Sequence, residues 1–320
     1  MARNALLLLV AILCHSQPSA GAAPRTPLQT QVEARLTPAA VEIPAAPEKE
    51  VAAATETVLQ RPDPGTFFSR YIFGLKRHSQ ALLTPEQAAR LEAVIAERSP
   101  IGQRWHDERN TLRCRFNEVM WHYAGAPEGE AAAALRTELA GWMDLRMAWT
   151  LREHLAAHDF DREVWTLLVA DQQRHLLAGD WQRYAKLDTG HARGNATAKV
   201  ITRALGPPDH PEAFAEALAA WETERLPLHQ RLADAEAAAR RVGFAMDRNS
   251  AAVIRSLTET ANAAYAALYL AEADATRRLV RVGYDDPEAK CRQAAKDAWA
   301  EAKERFQAGA SELISVIESR

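Results

Sequence analysis

Residues 83–100 read "LTPEQAARLEAVIAERSP", and this stretch contains the signals that start an α-helix. Thr84 can serve as the N-cap, and Pro85 then occupies the first helical position, where its missing N–H is not needed. Gln87 follows the cap by three residues, which is the spacing of a capping box. The stretch therefore predicts the beginning of a long helix, and helix capping alone explains its composition.

The rest of the chain continues in the same helical pattern. Ala is abundant, Gly accounts for only 14 of 320 residues and β-branched residues are sparse, a composition that favours helix. We expect Ser99 and Pro100 to interrupt or restart the first helix, and residues 159–161 to break the second. The predicted helices cover about 84–123, 131–158, 164–178, 211–242, 249–282 and 286–320. The sequence predicts an all-α fold, with a hairpin or cradle of long antiparallel helices followed by a second helical bundle region.

The N-terminus has the features of a secretory signal. An apolar run from Ala5 to Cys14 follows Arg3, and Ala20 to Ala22 form an A-x-A cleavage site. Ten apolar residues are too few for a membrane-spanning helix, which requires about 20. Residues 1–22 are therefore predicted to be a cleaved signal peptide. The mature chain is expected to be secreted or periplasmic and to have no membrane span.

The remaining sequence divides into three regions. Residues 23–62 are rich in Ala, Pro and Glu without a sustained period, which predicts a flexible linker. Residues 63–205 form a first helical region. Consecutive Gly and Pro residues from 206 to 208 mark a boundary, and residues 206–320 form a C-terminal helical region that could pair as a coiled coil.

Charge, cysteines and motifs exclude several classes of function. The net charge of −3, with both signs interspersed, gives no basic surface for nucleic acid. Cys114 and Cys291 can pair within one chain, pair between chains, or remain as partly buried thiols. The chain contains no G-x-S-x-G, P-loop, G-x-G-x-x-G, H-E-x-x-H or paired C-x-x-C motif. We therefore expect a protein that is not an enzyme.

One pattern is compatible with a metal site. His154 and His158 are four residues apart, which places both imidazoles on one helix face. Met143 and Met147 precede them on the same stripe, and thioethers together with imidazoles suit copper, while imidazoles alone also suit zinc. The alternative is that the histidines complement the helix dipole and that the methionines fill the core.

Aromatic and Met residues are concentrated in the first helical region. Core packing explains most of them, but in a thin, cradle-like layer of helices some would face solvent and bind partners loosely. The candidates for client binding are Trp105, Phe116, Trp142, Met143, Met147 and Trp149.

A family resemblance follows from the opening motif. "LTPEQ" at 83–87, with Leu83, Thr84 and Gln87, returns as "LVADQ" at 168–172, where Leu168 and Gln172 match its first and fifth positions. Two copies flanking a helical hairpin resemble the extracytoplasmic LTxxQ-motif family, the Spy/CpxP-like proteins. The resemblance covers residues 67–190 and implies a small helical cradle that is often a homodimer. It also implies either ATP-independent chaperone activity toward unfolded proteins or metal binding.

These observations lead to one main hypothesis and two alternatives. The main hypothesis is an extracytoplasmic helical stress protein that holds unfolded or partner proteins without ATP and without a cofactor. The first alternative is a periplasmic metal-binding sensor or scavenger that uses His154 and His158 to bind copper or zinc. The second is a structural helical scaffold whose C-terminal half provides the interaction surface.

Overall fold

The structure is a computed structural model that describes residues 24–37, 43–59, 83–173, 196–244 and 251–319. The helices are α1 (Pro27–Arg35), α2 (Glu48–Leu59), α3 (Pro85–Gly125), α4 (Glu130–Thr166), α5 (Ala196–Leu205), α6 (Pro211–Phe244), α7 (Ala251–Gly283) and α8 (Pro287–Glu318). These ranges contain no strand, which confirms the all-α prediction. The predicted signal peptide and the end of the predicted helix at 164–178 lie outside the described residues.

Helix α3 begins as its sequence predicts and continues further without a break. Gln87 N donates to Thr84 Oγ1 (3.2 Å) and Thr84 N donates to Gln87 Oε1 (3.0 Å), which completes the capping box. Pro100 lies inside the helix, so the predicted interruption does not occur. Ser99 Oγ donates to the carbonyl of Ile95 (2.7 Å), so the hydroxyl is hydrogen-bonded within its own helix and does not cap a new one.

Helix α4 runs antiparallel to α3 after a turn at residues 126–129. Ion pairs along the two helices, such as Arg98 with Glu163 and Arg115 with Glu138, show the direction of the pair. The predicted break at residues 159–161 is wrong, because α4 continues to Thr166. Asp residues have a low helix propensity, but packing of the surrounding turns overrides a local preference of this size.

The most extensive contact among the described helices joins α3 to α8. The two helices are antiparallel, because Gly125 of α3 lies against Cys291 while Gly309 of α8 lies against Asp107. A Cβ added at Gly125 would lie 2.8 Å from Cys291 Cβ, and one added at Gly309 would lie 2.8 Å from Asp107 Cβ. At Gly125 the two backbones therefore approach closely, and at Gly309 the side chain of Asp107 occupies the space that a Cβ would need.

Helices α6 and α7 form another antiparallel pair, and α7 packs on α3 and α4. The central core combines residues from α3, α4, α7 and α8, which lie on both sides of the predicted boundary at residue 206. A second cluster, around Leu91, Val164 and Ile254, closes one end of the molecule. A third, around Trp121 and Leu279, closes the other. The two predicted helical regions thus share their cores.

The two cysteines are separate buried thiols. Cys114 lies eleven residues before Gly125 on α3, which contacts Cys291, so about 16 Å of helix separates the two thiols. A disulfide requires Cα atoms within about 7 Å, so pairing within this chain is excluded in this arrangement. Burial raises the pKa of Cys114 to about 11 and that of Cys291 to about 12.

The region predicted as a flexible linker contains two docked helices. Ala46 N, just before α2, donates to Ser256 Oγ (2.9 Å) and to the carbonyl of Ala252 (3.3 Å) on α7. Helix α1 contacts α4 and α8. We call residues 24–37, which include α1, the N-terminal arm. None of the described helices has both the length and the apolar character that crossing a membrane requires.

The contact between α3 and α8 predicts different outcomes for two glycines of α3. Gly125→Ala places a methyl group against the backbone of Pro287 and Glu288, so we expect a loss of about 1–3 kcal/mol in the free energy of unfolding. Gly102 has no atom within 4 Å of an added Cβ, so Gly102→Ala should be neutral or stabilise the protein by up to about 1 kcal/mol. Urea unfolding measures both, and equal effects would contradict the proposed packing.

Candidate functional site

The residues predicted to bind clients do not form an open surface. Their exposed fractions are 2% for Phe116, 0% for Trp142, 0% for Met143, 9% for Met147 and 2% for Trp149, and Trp105 is partly buried. They belong to the central core together with side chains of α1, α7 and α8. The expected exposed face of the cradle is thus covered, because the C-terminal helices and the N-terminal arm pack on it.

The polar atoms of the inner tryptophans are also satisfied inside this core. Trp142 Nε1 donates to Glu138 Oε1 (3.0 Å), and Trp149 Nε1 donates to Glu108 Oε2 (3.2 Å). A buried indole N–H that has a partner within the same protein is typical of a packed interior. These contacts give both rings a structural role in the arrangement described here.

The residues of the two sequence motifs come together, 85 positions apart in the chain. Gln87 Nε2 donates to Gln172 Oε1 (2.9 Å), and Gln172 Nε2 donates to Gln87 Oε1 (2.8 Å). The oxygen of Gln87 also accepts from Thr84 N, and that of Gln172 accepts from Val169 N, each at 3.0 Å. We call this reciprocal amide pair the glutamine clasp. The second motif keeps half of the capping box although Val169 replaces the threonine.

The glutamine clasp joins the start of α3 to the end of α4. Gln87 Nε2 donates a further bond to the carbonyl of Leu167 (2.7 Å), directly after α4. Leu168 is buried in the apolar cluster around Leu91 and Val164, and Leu83 packs against the same cluster. Neutral amides cannot act as general acids or bases near neutral pH. The clasp is therefore suited to fixing the geometry of the hairpin rather than to catalysis.

The predicted metal residues lie on one face of α4 but are not assembled into a cluster. His158 is fully buried and His154 is partly buried, while Met143 and Met147 are part of the central core. Within the part of the chain that the structure describes, no group of three or more His, Cys, Asp or Glu side chains is placed to hold a metal ion. The metal site stays a prediction from spacing.

The N-terminal arm repeats the chemistry of the first motif. Residues 26–29 read "TPLQ", and Gln29 N donates to Thr26 Oγ1 (3.2 Å) while Thr26 N donates to Gln29 Oε1 (2.9 Å). Gln29 Nε2 then donates to the carbonyl of Glu138 on α4 (2.9 Å), as Gln87 does at Leu167. The repeated Thr-Pro-x-Gln was visible in the sequence and could have identified this helix start.

Three apolar side chains of the arm enter a groove of the body. Leu28, Val32 and Leu36 are spaced four residues apart and are 7%, 0% and 5% exposed. They join the central core, and α1 contacts α4 and α8, so we call the cleft that receives them the arm groove. A Cβ at Gly141 would lie 2.8 Å from Gln29 Nε2. The missing side chain at Gly141 thus makes the notch that admits the arm's glutamine.

A buried carboxylate holds the other end of the arm. Glu108 on α3 is 0% exposed. It accepts from Thr37 N (3.1 Å) and Thr37 Oγ1 (2.7 Å) of the arm, and from Arg104 Nε (3.0 Å) and Trp149 Nε1 (3.2 Å) of the body. A buried charge with a cation and several donors is compensated. Sequence reasoning missed Glu108, because nothing in the local pattern distinguishes it from a charge on a solvated helix face.

An open cleft of about 570 Å³ lies between α6, α7 and the turn after α3. Its arginines are engaged in the structure. Arg277 donates to the carbonyls of Tyr123 (2.6 Å) and Ala126 (2.7 Å) at the end of α3 and pairs with Glu128. Cations are favoured at a helix C-terminus, so this cluster has a capping role.

Comparison with known proteins adds no assignment. No protein-family model matches the chain, and no curated protein and no solved structure matches it. The functional argument therefore rests on the arm groove and on the glutamine clasp.

The glutamine clasp predicts energetic coupling between its two residues. We expect Gln87→Ala and Gln172→Ala each to lower the free energy of unfolding by about 1–2 kcal/mol, because each leaves a polar partner unsatisfied. The double variant should lose about 1 kcal/mol less than the sum, as measured by a double-mutant cycle in urea. The exposed pair Gln230 and Asp234 is the control and should change stability by less than about 0.5 kcal/mol. Additive losses at the clasp would show that the two amides act independently.

Proposed function

We propose that this protein is an extracytoplasmic helical chaperone that binds apolar segments of unfolded or partner proteins without ATP. The observation that carries the proposal is the arm groove, which holds the nine-residue helix α1 through buried Leu28 and Val32, and the residue after it through buried Leu36. The client site is thereby assigned to the groove and not to an open aromatic face.

Helix α1 is so short that its helical structure indicates how strongly the groove binds it. An isolated helix of nine residues is marginal in water, so α1 depends on the groove for its helical structure. Full burial of a Leu or Val side chain contributes about 1.5–3 kcal/mol relative to exposure. The body therefore already performs, on its own N-terminal arm, the binding that the proposal assigns to clients.

Two features of the sequence support the class and the location. The motifs that resemble the LTxxQ family supply the two glutamines of the clasp, which sets the spacing of α3 and α4. The predicted signal peptide would bring the chain to a compartment without ATP, where a chaperone has to work by binding alone. The proposal involves no bond-making step, in keeping with the absence of enzyme motifs in the sequence.

The two alternative hypotheses have no specific contact in their favour within the described residues. No group of three or more His, Cys, Asp or Glu side chains that could hold a metal ion is found in the described ranges. The C-terminal helices contribute mainly to the shared cores, so a scaffold role would have to use their outer faces.

The proposal predicts that the mature protein suppresses aggregation of a chemically denatured client in a buffer without nucleotide. Light scattering measures the effect at protein-to-client ratios up to equimolar, with an inert helical protein of similar size as reference. A peptide of residues 24–37 added in excess should compete with the client for the groove and reduce protection. The same peptide carrying Val32→Asp is the matched control and should not compete, because a charge at this fully buried position opposes docking. Protection no greater than that of the reference protein would refute the proposal.

A further inference from the structure

We propose that the N-terminal arm is an exchangeable occupant of the arm groove, displaced by a short amphipathic helix of a partner protein. The inference rests on the proposed function and adds the regulation of its site and the class of ligand. In the resting protein the arm fills the groove. Partner binding and arm docking are then mutually exclusive.

The arm is attached in a way that allows it to leave without unfolding the body. The most extensive helix contacts, α3 with α8 and α6 with α7, do not involve the arm. The arm is held by three apolar side chains, by the Gln29 bond to Glu138 O and by Thr37 at Glu108. Ordering a short segment costs conformational entropy similar in size to the gain from burying a few side chains. We therefore expect the arm to undock at a smaller cost in free energy than separation of the main helices of the body requires.

The polar groups of the groove remain satisfied after the arm leaves. Glu108 keeps the guanidinium of Arg104 and the indole N–H of Trp149. The Glu138 carbonyl lies within α4, where the helix supplies its backbone partner. An empty groove therefore leaves no uncompensated buried charge, and its remaining cost is exposed apolar surface, which favours capture of another apolar segment.

The contacts of the arm define the partner that fits. The partner presents two apolar side chains one helical turn apart, as Leu28 and Val32 do, and a third on the extended residue after the helix, as Leu36 does. A glutamine in a Thr-Pro-x-Gln cap reaches the Glu138 carbonyl through the Gly141 notch. After the helix, a backbone N–H and a hydroxyl meet the buried carboxylate of Glu108. The ligand class is a short capped amphipathic helix that leaves the groove as extended chain.

A reversible lock of the arm tests the proposal in the full mature chain. Gln29→Cys with Gly141→Cys places two thiols at the notch, where a Cβ at residue 141 would lie 2.9 Å from Gln29 Cδ. We expect the two introduced thiols to come within bonding reach, and titration of free thiols in the oxidised form checks that the disulfide has formed. The native thiols are buried and too far apart to pair with each other. Circular dichroism and thermal unfolding establish that the oxidised and the reduced forms are both folded.

We expect the oxidised double variant to lose protection of the client by about tenfold or more, and the reduced form to recover it, because locking removes the binding-competent state. The wild-type protein should respond to neither treatment. Equal protection by the oxidised and reduced forms would overturn the exchange of the arm and leave the proposed function intact. Lack of protection by the wild type and by both forms would refute the proposed function, and the inference with it.

A second pair of variants measures release of the arm without a client. Val32→Glu puts a charge at a fully buried position of α1, and Ala34→Glu makes the same change on its exposed face. We expect Val32→Glu to speed hydrogen exchange in residues 24–37 and to increase client protection, with the helical content of the body unchanged. Ala34→Glu should behave as the wild type. Faster exchange without increased protection would show that the arm does not compete with clients.

Discussion

The close approach of α3 and α8 is the constraint on which the rest of the structure depends. Gly125 allows the two backbones to approach closely, Gly309 leaves room for the side chain of Asp107, and Ala302 is fully buried on α8. Small residues bring a helix near enough for the larger side chains beside the seam to interdigitate. Without this contact α8 would not cover α3. Some of the aromatic residues of the hairpin would then face water, which is the arrangement that the cradle prediction requires.

Much of the fold could be predicted from local signals, and the failures share a cause. The capping box at Thr84 was predicted correctly, and the all-α prediction was confirmed. The break expected at 159–161 does not occur, and α1 forms inside an expected linker, because packing with distant segments decides both. An apolar stripe with helical spacing indicates which face of a helix is either buried or available to bind apolar groups. It does not reveal whether another helix covers that face.

The candidate site was missed for the same reason, although part of its signal was local. Thr26-Pro27-Leu28-Gln29 repeats the pattern at 84–87 and could have been found by comparing helix starts. Gly141 and Glu108 could not have been singled out, because their roles exist only relative to the arm. A glycine inside a helix and a glutamate on a charged one have many ordinary explanations. Only the contacts with the arm show that Gly141 provides a notch and that Glu108 anchors the arm.

The arm and the glutamine clasp each use a capped glutamine that donates to a backbone carbonyl near one end of α4. The two glutamines begin helices of very different length, and this difference decides their roles. Gln29 donates to the carbonyl of Glu138 near the start of α4, and Gln87 donates to that of Leu167 just after its end. Gln87 is also paired with Gln172 and begins a helix of 41 residues, whose later turns are buried in the central core. Gln29 begins a helix of nine residues with no second amide partner among its described bonds. The same capped glutamine thus fixes the hairpin at one end of α4, while at the other it forms a contact that a competing helix can replace.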